Sequence, residues 1–237
     1  MKYRRILLKL SGEALMGSNA FGVHADTVEH LSKEVASVHA LGVEIGIVLG
    51  GGNFFRGISE VGKRFDRSIA DQVGMLATVM NCLVFQDGLE REGLDTRVLT
   101  ALEMPKVAEP FIRRRAVRHL GRGRIVLFAA GTGHPYFSTD TGAALRALEI
   151  NAEAIIKGTK VDGIYDSDPE TNPDAVRYDR VTYQEVMEKN LRVMDQTAVA
   201  LCRENGIPLH VLSIRQPDRI VDLLHGKSVG TLVTESV

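Results

Sequence analysis

Three stretches of this chain share one form, a short apolar run passing straight into a glycine-rich polar loop. They are RRILLKLSGE at 4–13, VEIGIVLGGGNFFRG at 43–57 and RIVLFAAGTGHPYFSTD at 124–140. One such turn constrains little, because any strand-to-helix connection can use it. Three of them constrain the fold, because in an open parallel sheet such loops emerge together at the carboxyl edge, where ligands bind. Backbone N–H groups in glycine-rich turns and at helix N-termini cradle phosphates. A site built from several such cradles implies more than one phosphate-bearing ligand. The chain therefore reads as one that brings two phosphorylated molecules together.

The rest of the pattern agrees with a parallel sheet. After the first strand comes an amphipathic helix over about 26–41, with Asp26 and Glu29 spaced as an N-capping pair and Gly42 as its stop. A strand at 43–49 follows, then a long helical stretch over about 66–91, in which Ile69, Val73, Leu76, Met80 and Leu83 are spaced for one buried face. Strands are expected at 96–101, 125–129, 154–157, 208–212 and 230–233. Helices are expected at 111–120, 138–150, 182–189, 195–204 and 218–224. Strands alternating with helices predict an α/β three-layer sandwich, a central, mostly parallel sheet with helices on both faces. No repeat or linker interrupts it, so a single domain over 1–237 is expected, with a loose division near Ala152 and the later part serving a second ligand.

Composition narrows the class. At 237 residues there is ample core, and a net charge of −1 gives no reason to expect nucleic acid or an anionic membrane as partner. The basic run Arg113, Arg114, Arg115, Arg118, Arg122 and Arg124 lacks interleaved aromatics and reads as a solvated or subunit-contact face. Cys82 and Cys202 have no metal-ligand spacing and read as buried reduced thiols. Ile6-Leu7-Leu8 is far too short for a signal peptide, and no segment reads as a membrane span. A cytoplasmic protein is the simplest expectation.

The loops carry the candidate chemistry. Lys9 closes the first strand ahead of Ser11 and Gly12. A lysine there aims at whatever binds the sheet edge, although taken alone a strand-end lysine is most simply solvated. Gly50-Gly51-Gly52-Asn53 followed by Arg56 fits neither GxxxxGK[ST] nor GxGxxG. Three consecutive glycines exceed the needs of a turn and suggest close approach to a ligand, with Arg56 as a phosphate clamp. The loop Thr132-Gly133-His134-Pro135-Tyr136-Phe137-Ser138-Thr139-Asp140 offers hydroxyls, backbone donors and an aromatic ring ahead of a helix N-terminus. His134, beside Pro135 and without a second histidine, is a loop position rather than a base or ligand. Asp140 is either a helix-terminal carboxylate or the group that orients Lys9. In KGTKVDGIYDSDP at 157–169 the carboxylates do not match an EF-hand. An adenine-and-ribose pocket with Tyr165 against the base fits better.

With these residues in view, the sequence closely resembles the bacterial uridylate (UMP) kinases of the amino-acid-kinase superfamily, over essentially its whole length. LLKLSGE, VLGGGNFFRG, DRSIADQVGMLATVMN, AAGTGHPYFSTDT and KGTKVDGIYDSDP carry the resemblance, in that order and spacing. It implies transfer of the γ-phosphoryl group of ATP to UMP in pyrimidine nucleotide synthesis, with Mg²⁺ carried by the ATP phosphates rather than by a protein site. It implies catalytic roles for Lys9 and Asp140. ATP contacts are implied at Lys9, Leu10, Ser11, Gly12, Gly52, Arg56, Thr159, Tyr165 and Asp168, the later part of the chain holding that nucleotide. UMP contacts are implied at Gly51, Asp71, Thr132, Gly133, His134, Pro135, Tyr136, Phe137, Ser138 and Thr139. A cytoplasmic homohexamer inhibited by UTP and often activated by GTP is also implied. Ala20 departs from the family's Gly-x-x-Gly-Phe-Gly segment, and Gln86 and Glu90 stand where some activated members carry basic residues, which leaves GTP activation open. An acyl-phosphate-forming relative and a non-catalytic pyrimidine-nucleotide sensor stay as alternative readings.

Overall fold

The fold hangs on β1 (Arg5–Leu10), whose Ile6, Leu7, Leu8 and Leu10 are all buried, an apolar run interrupted by Lys9 and the mark of a strand covered on both faces. The computed structural model describes residues 1–55 and 64–236. The chain continues through a one-turn 3-10 helix (Gly12–Leu15) into α1 (Ala25–His39), β2 (Glu44–Leu49), α2 (Arg67–Arg91), β3 (Thr96–Thr100), β4 (Glu109–Pro110), α3 (Arg113–Leu120) and β5 (Ile125–Ala129). It then forms α4 (Thr139–Glu149), β6 (Ala154–Thr159), β7 (Ile164–Tyr165), β8 (Arg177–Tyr178) and β9 (Arg180–Thr182). It ends with α5 (Tyr183–Glu188), α6 (Gln196–Glu204), β10 (Leu209–Ser213), α7 (Arg219–Leu224) and β11 (Thr231–Thr234). A nine-stranded sheet runs β4-β3-β5-β2-β1-β6-β10-β11-β9, and β7 and β8 form a separate small ribbon. Among the described residues, only the β10–β11 pairing in the large sheet is antiparallel. The α/β sheet expected from the sequence is therefore present, and β6 pairs directly with β1 across the position of the loose division at Ala152.

Two apolar layers flank the sheet. One joins Leu8, Ile47 and Ile156 to residues of α1, α2 and α7, and the other joins Leu7, Val126 and Ile155 to α3, α4, α5 and α6. The order β5-β2-β1-β6 sets side by side the four strands whose following loops carry the candidate motifs.

Several expectations need correction. The apolar stripe of α2 does not face the core: Ile69, Val73, Leu76 and Met80 are exposed, and only Leu83 turns inward. The helix packs instead through Met75, Val79, Cys82, Phe85 and Leu89, with Ala70, Ala77, Thr78 and Asn81 as small or polar residues that let it approach the GGG turn closely. At 25 residues α2 is also long and apolar enough to cross a membrane by length and composition, which the sequence reading missed. Its Asn81 is nevertheless buried against the carbonyl of Gly50, and Asp71 opens into a cleft, so its packing is that of a core helix. Asp26 is not an N-cap. α1 begins at Ala25, its entry held by His24 N–H bonded to the Leu15 carbonyl at 2.8 Å, and Glu29 pairs with Lys33 within the helix. The strands β4, β7, β8 and β9 escaped notice because ladders of two or three residues leave no periodicity to read.

Candidate functional site

Lys9 is the fifth residue of β1, and its ladder partners are Val48 on β2 and Lys157 on β6. Paired residues of neighbouring strands project to the same face, so two lysines stand side by side beneath the start of α4. There Ser138 caps the helix, accepting from Asp140 N and Thr141 N at 3.0 and 3.2 Å, and this sets Asp140 in the first turn. Asp140 Oδ1 lies 2.5 Å from Lys9 Nζ, and Oδ2 lies 2.9 Å from Lys157 Nζ. Burial opposes the charge on Asp140, yet Lys9 and Lys157 together hold its carboxyl below the usual range. Burial, then repulsion from Lys9, lowers the Lys157 ammonium against the pull of Asp140. Three buried charges thus share one contact at the mouth of the parallel sheet, a concentration that marks functional sites.

Lys157 went unrecognised as part of this cluster, since it sits 148 residues from Lys9 and only the strand register joins them. The lysine that closes the apolar run of AIIKGT, as Lys9 closes that of RILLKL, was the available signal. Asp195 was missed as well. It caps α6 and accepts from Ser138 Oγ and from Thr141 Oγ1, fastening the third loop to the later half of the chain.

The GGG turn owes its glycines to the protein as much as to any ligand. A Cβ on Gly12 would lie 2.4 Å from Asn53 Oδ1 and 2.7 Å from the Gly50 carbonyl, and one on Gly51 would lie 2.7 Å from the Gly74 carbonyl of α2. Asn53 and Asn81, both buried, bond each other and tie this turn to the carbonyls of Gly22 and Gly50. Leu10 turns its side chain into the core, and its carbonyl accepts from Gly50 N at 2.9 Å. Arg56 falls outside the described residues.

The third loop is held in an unusual backbone. Ala130, Gly131, Gly133 and Tyr136 all have positive φ, a strained state for alanine and tyrosine. The surrounding structure fixes it: Ala130 N donates to Thr78 Oγ1 at 2.8 Å, Tyr136 N donates to Asp71 Oδ2 at 2.8 Å, and Arg146 donates to the Gly131 carbonyl at 3.0 Å. Beneath it lies a cavity of about 130 Å³ whose lining includes Gly51, Gly52, Asp71, Thr132, His134, Phe137, Ser138 and Thr139. Gly133 backs onto Ala101, and the Tyr136 ring lies exposed under Arg67, so neither lines this cavity, nor does Pro135.

Thr159, Tyr165 and Asp168 follow β6. Thr159 Oγ1 bonds the Val161 carbonyl, Tyr165 Oη donates to Asp162 Oδ1 at 2.5 Å, and Asp168 accepts from Glu170 N at 2.9 Å. Lys160 reaches Glu13 at 2.8 Å, which draws this segment to the loop after β1. Among the described residues no group of three or more His, Cys, Asp and Glu side chains is placed to hold a metal ion. Gln86 and Glu90 of α2 bond each other and the buried Thr96 hydroxyl of β3, and Ala20 lies exposed beside Phe21, which stacks edge-on against Phe54.

Comparison with known proteins places this geometry. The family model described as "Amino acid kinase family" matches residues 4–213. A solved structure of a UMP kinase from Bacillus anthracis is 38% identical, with a TM-score of 0.96 over 100% of this chain and 98% of that one. A UMP kinase from Ureaplasma parvum is 37% identical, with a TM-score of 0.91 over 99% and 100% of the two chains. A uridylate kinase from Archaeoglobus fulgidus is 26% identical at a TM-score of 0.74, over 97% and 99%. Two cations on one buried carboxylate, set among adjoining glycine-rich loops, stand within a match covering nearly the whole sequence: the chain belongs to the amino acid kinase family.

Proposed function

We propose that this protein is a UMP kinase, transferring the γ-phosphoryl group of ATP to UMP to give UDP and ADP. The observation that carries the reading is the Lys9–Asp140–Lys157 cluster at the point where the loops after β1, β2 and β5 meet, beside a cavity walled by Asp71 and the third loop. Full-length similarity to UMP kinases supports the choice of acceptor. A phosphomonoester is mostly dianionic at neutral pH, its second pKa being about 6, so the attacking oxygen needs no general base. Positioning and charge neutralisation do the work. Lys9 and Lys157 face the phosphoryl group in transfer, and Asp140 keeps both lysines charged and in register. Magnesium enters as the counterion of the ATP substrate.

In this reading UMP occupies the cavity under the third loop, with Thr132, His134, Phe137, Ser138 and Thr139 about it, and ATP lies over Ser11, Gly12 and Gly52 toward Thr159, Tyr165 and Asp168. UTP inhibits by entering the UMP cavity, and a response to GTP is tested separately. The exposed stripe Ile69, Val73, Leu76, Met80 and Val84 supports burial of α2 against another copy of the chain, as in a homohexamer working in the cytoplasm. The deciding assay is ADP release from Mg·ATP with UMP, CMP, dUMP, carbamate, glutamate or aspartate as acceptor, with and without UTP and GTP. Turnover with UMP above all others supports the proposal. Turnover with a carboxylate or carbamate, or tight nucleotide binding without turnover, rejects it.

A further inference from the structure

The nucleotide loops use the carboxyl edge of the sheet. At the opposite edge, roughly one six-residue strand or about 20 Å away, the structure holds a second polar cavity that the proposed reaction does not use. His210 near the start of β10 pairs with Leu232 of β11, and Leu232 pairs with Arg180 of β9, so the three side chains form a row on one face. A cavity of about 330 Å³ opens over this row, lined by Lys2, Arg180, His210, Leu223, Val229 and Leu232 among others.

His210 is only 1% exposed. Its Nε2 lies 2.8 Å from Tyr3 Oη, and the two rings meet edge-on. Burial, then Lys2, pushes the imidazole pKa down to about 3, so the ring is neutral at physiological pH. Burial, then Glu153, raises that of Tyr3, which keeps its hydroxyl protonated. In the tautomer with Tyr3 donating to Nε2 the ring hydrogen sits on Nδ1, and Nδ1 is buried without a partner in either tautomer. A buried N–H left unpaired calls for an explanation.

The charges around the cavity point the same way. Lys2 is lowered by burial and by the field of Arg180, two cations held near each other, and neither forms an ion pair among the described residues. The nearby acids are already engaged, Asp179 by Arg177 at 3.2 Å, Asp222 by Lys227 at 2.7 Å, and Glu153 by the Arg4 backbone N–H at 2.5 Å. Lys2 lies 5.4 Å over the Tyr3 ring; two cations without a carboxylate partner among the described residues, with one uncommitted neutral donor, match the several oxygens of a phosphate group.

We propose that this cavity is a second anion site, remote from the nucleotide cleft, taking a small molecule through its phosphate group. Lys2 and Arg180 supply the charge, His210 supplies a neutral N–H, and Leu223, Val229 and Leu232 supply an apolar wall for the rest of the molecule. The site is independent of which acceptor the kinase cleft uses.

The test follows the imidazole ¹⁵N–¹H resonances of His210 in the full-length protein at constant ionic strength. Inorganic phosphate and a nucleoside triphosphate are titrated in separate arms, with potassium chloride as control. The expected result is a saturable shift of the His210 signals. Saturation by inorganic phosphate alone identifies the free anion, and tighter saturation by the nucleotide identifies a phosphorylated metabolite. Arg180→Ala and Lys2→Ala, both on exposed residues, each weaken the apparent affinity at least about tenfold, the scale of one charge-assisted hydrogen bond. Lys9→Ala, in the distant cleft, leaves the titration unchanged. No saturable shift, an equal shift with chloride, an unaltered titration in Arg180→Ala, or loss of the shift in Lys9→Ala each overturns the site.

Discussion

Replacing Asp140 by asparagine keeps the shape of the side chain and removes the charge that Lys9 and Lys157 share. All three side chains are largely buried, at 16%, 7% and 15% exposure, so solvent screens the loss weakly. At an effective dielectric of about 20, an ammonium about 4 Å from a carboxylate is attracted by about 4 kcal/mol, or about 8 kcal/mol for two contacts. The ammonium groups, about 5–6 Å apart across one carboxylate, repel by about 3 kcal/mol. Desolvation offsets much of the attraction, and removing one partner of a buried pair costs about 3–5 kcal/mol. At about 2–4 °C per kcal/mol for a domain of this size, Tm should fall by about 10 °C at pH 7. The pH dependence has a definite sign. Asp140 is held below its unfolded value, so its contribution is present above about pH 4 and fades as pH falls through the folded pKa, closing the gap between variant and wild type in acid. Adding Lys157→Met removes one of the two uncompensated ammonium groups and should recover part of the loss. Thermal unfolding followed by circular dichroism, at several pH values, reads all of this. An Asp140→Asn protein melting within about 2 °C of the wild type at pH 7, or a double variant whose losses simply add, would refute the shared-charge reasoning.

Lys9→Ala should lower kcat for UMP phosphorylation by roughly 10²–10³, the scale of one preorganised charge donor; unchanged turnover would remove Lys9 from the mechanism. Gly12→Ala drives a methyl group into Asn53 and the Gly50 carbonyl and should cost about 1–3 kcal/mol of stability. Denaturant unfolding checks that, and a neutral result would show that the two loops do not pack as described. Leu76→Asp with Met80→Asp places charges on the exposed α2 stripe and should shift the protein to smaller species in sedimentation velocity with little change in protomer stability. An undisturbed assembly would place the subunit contact elsewhere. Asn81→Leu takes the Asn81 donor from the Gly50 carbonyl and from Asn53 Oδ1, so a loss of about 1–3 kcal/mol is expected in the same unfolding assay.

Local pattern was enough for much of this protein. Apolar runs ending in glycine-rich loops announced β1, β2 and β5, and the alternation with helices announced the layered parallel sheet. Lys9, Gly12, Gly51 and the segment 132–140 were legible for the same reason, since each lies next to the strand that carries it. Periodicity also revealed an apolar stripe on α2, but not the side it faces. Spacing of 3.6 residues fixes which residues share a face and says nothing of whether a sheet or another subunit covers it.

Tertiary structure decided what separate segments do together. Lys157 joins Lys9 only through the register of two strands far apart in sequence, and Asp195 reaches Ser138 from the opposite half of the chain. Gly12 and Gly51 look like ligand-approach glycines, and only their neighbours in the fold show that close packing against Gly50 and Gly74 demands them as well. His210 reads as one residue of a buried strand, and its unpaired nitrogen emerges only when Tyr3 and Arg180 are brought to the same face. A sequence encodes local conformation through near-neighbour sterics and periodic burial. Which distant charges share a carboxylate, and which donors lack a partner, depends on long-range strand pairing that no local window contains.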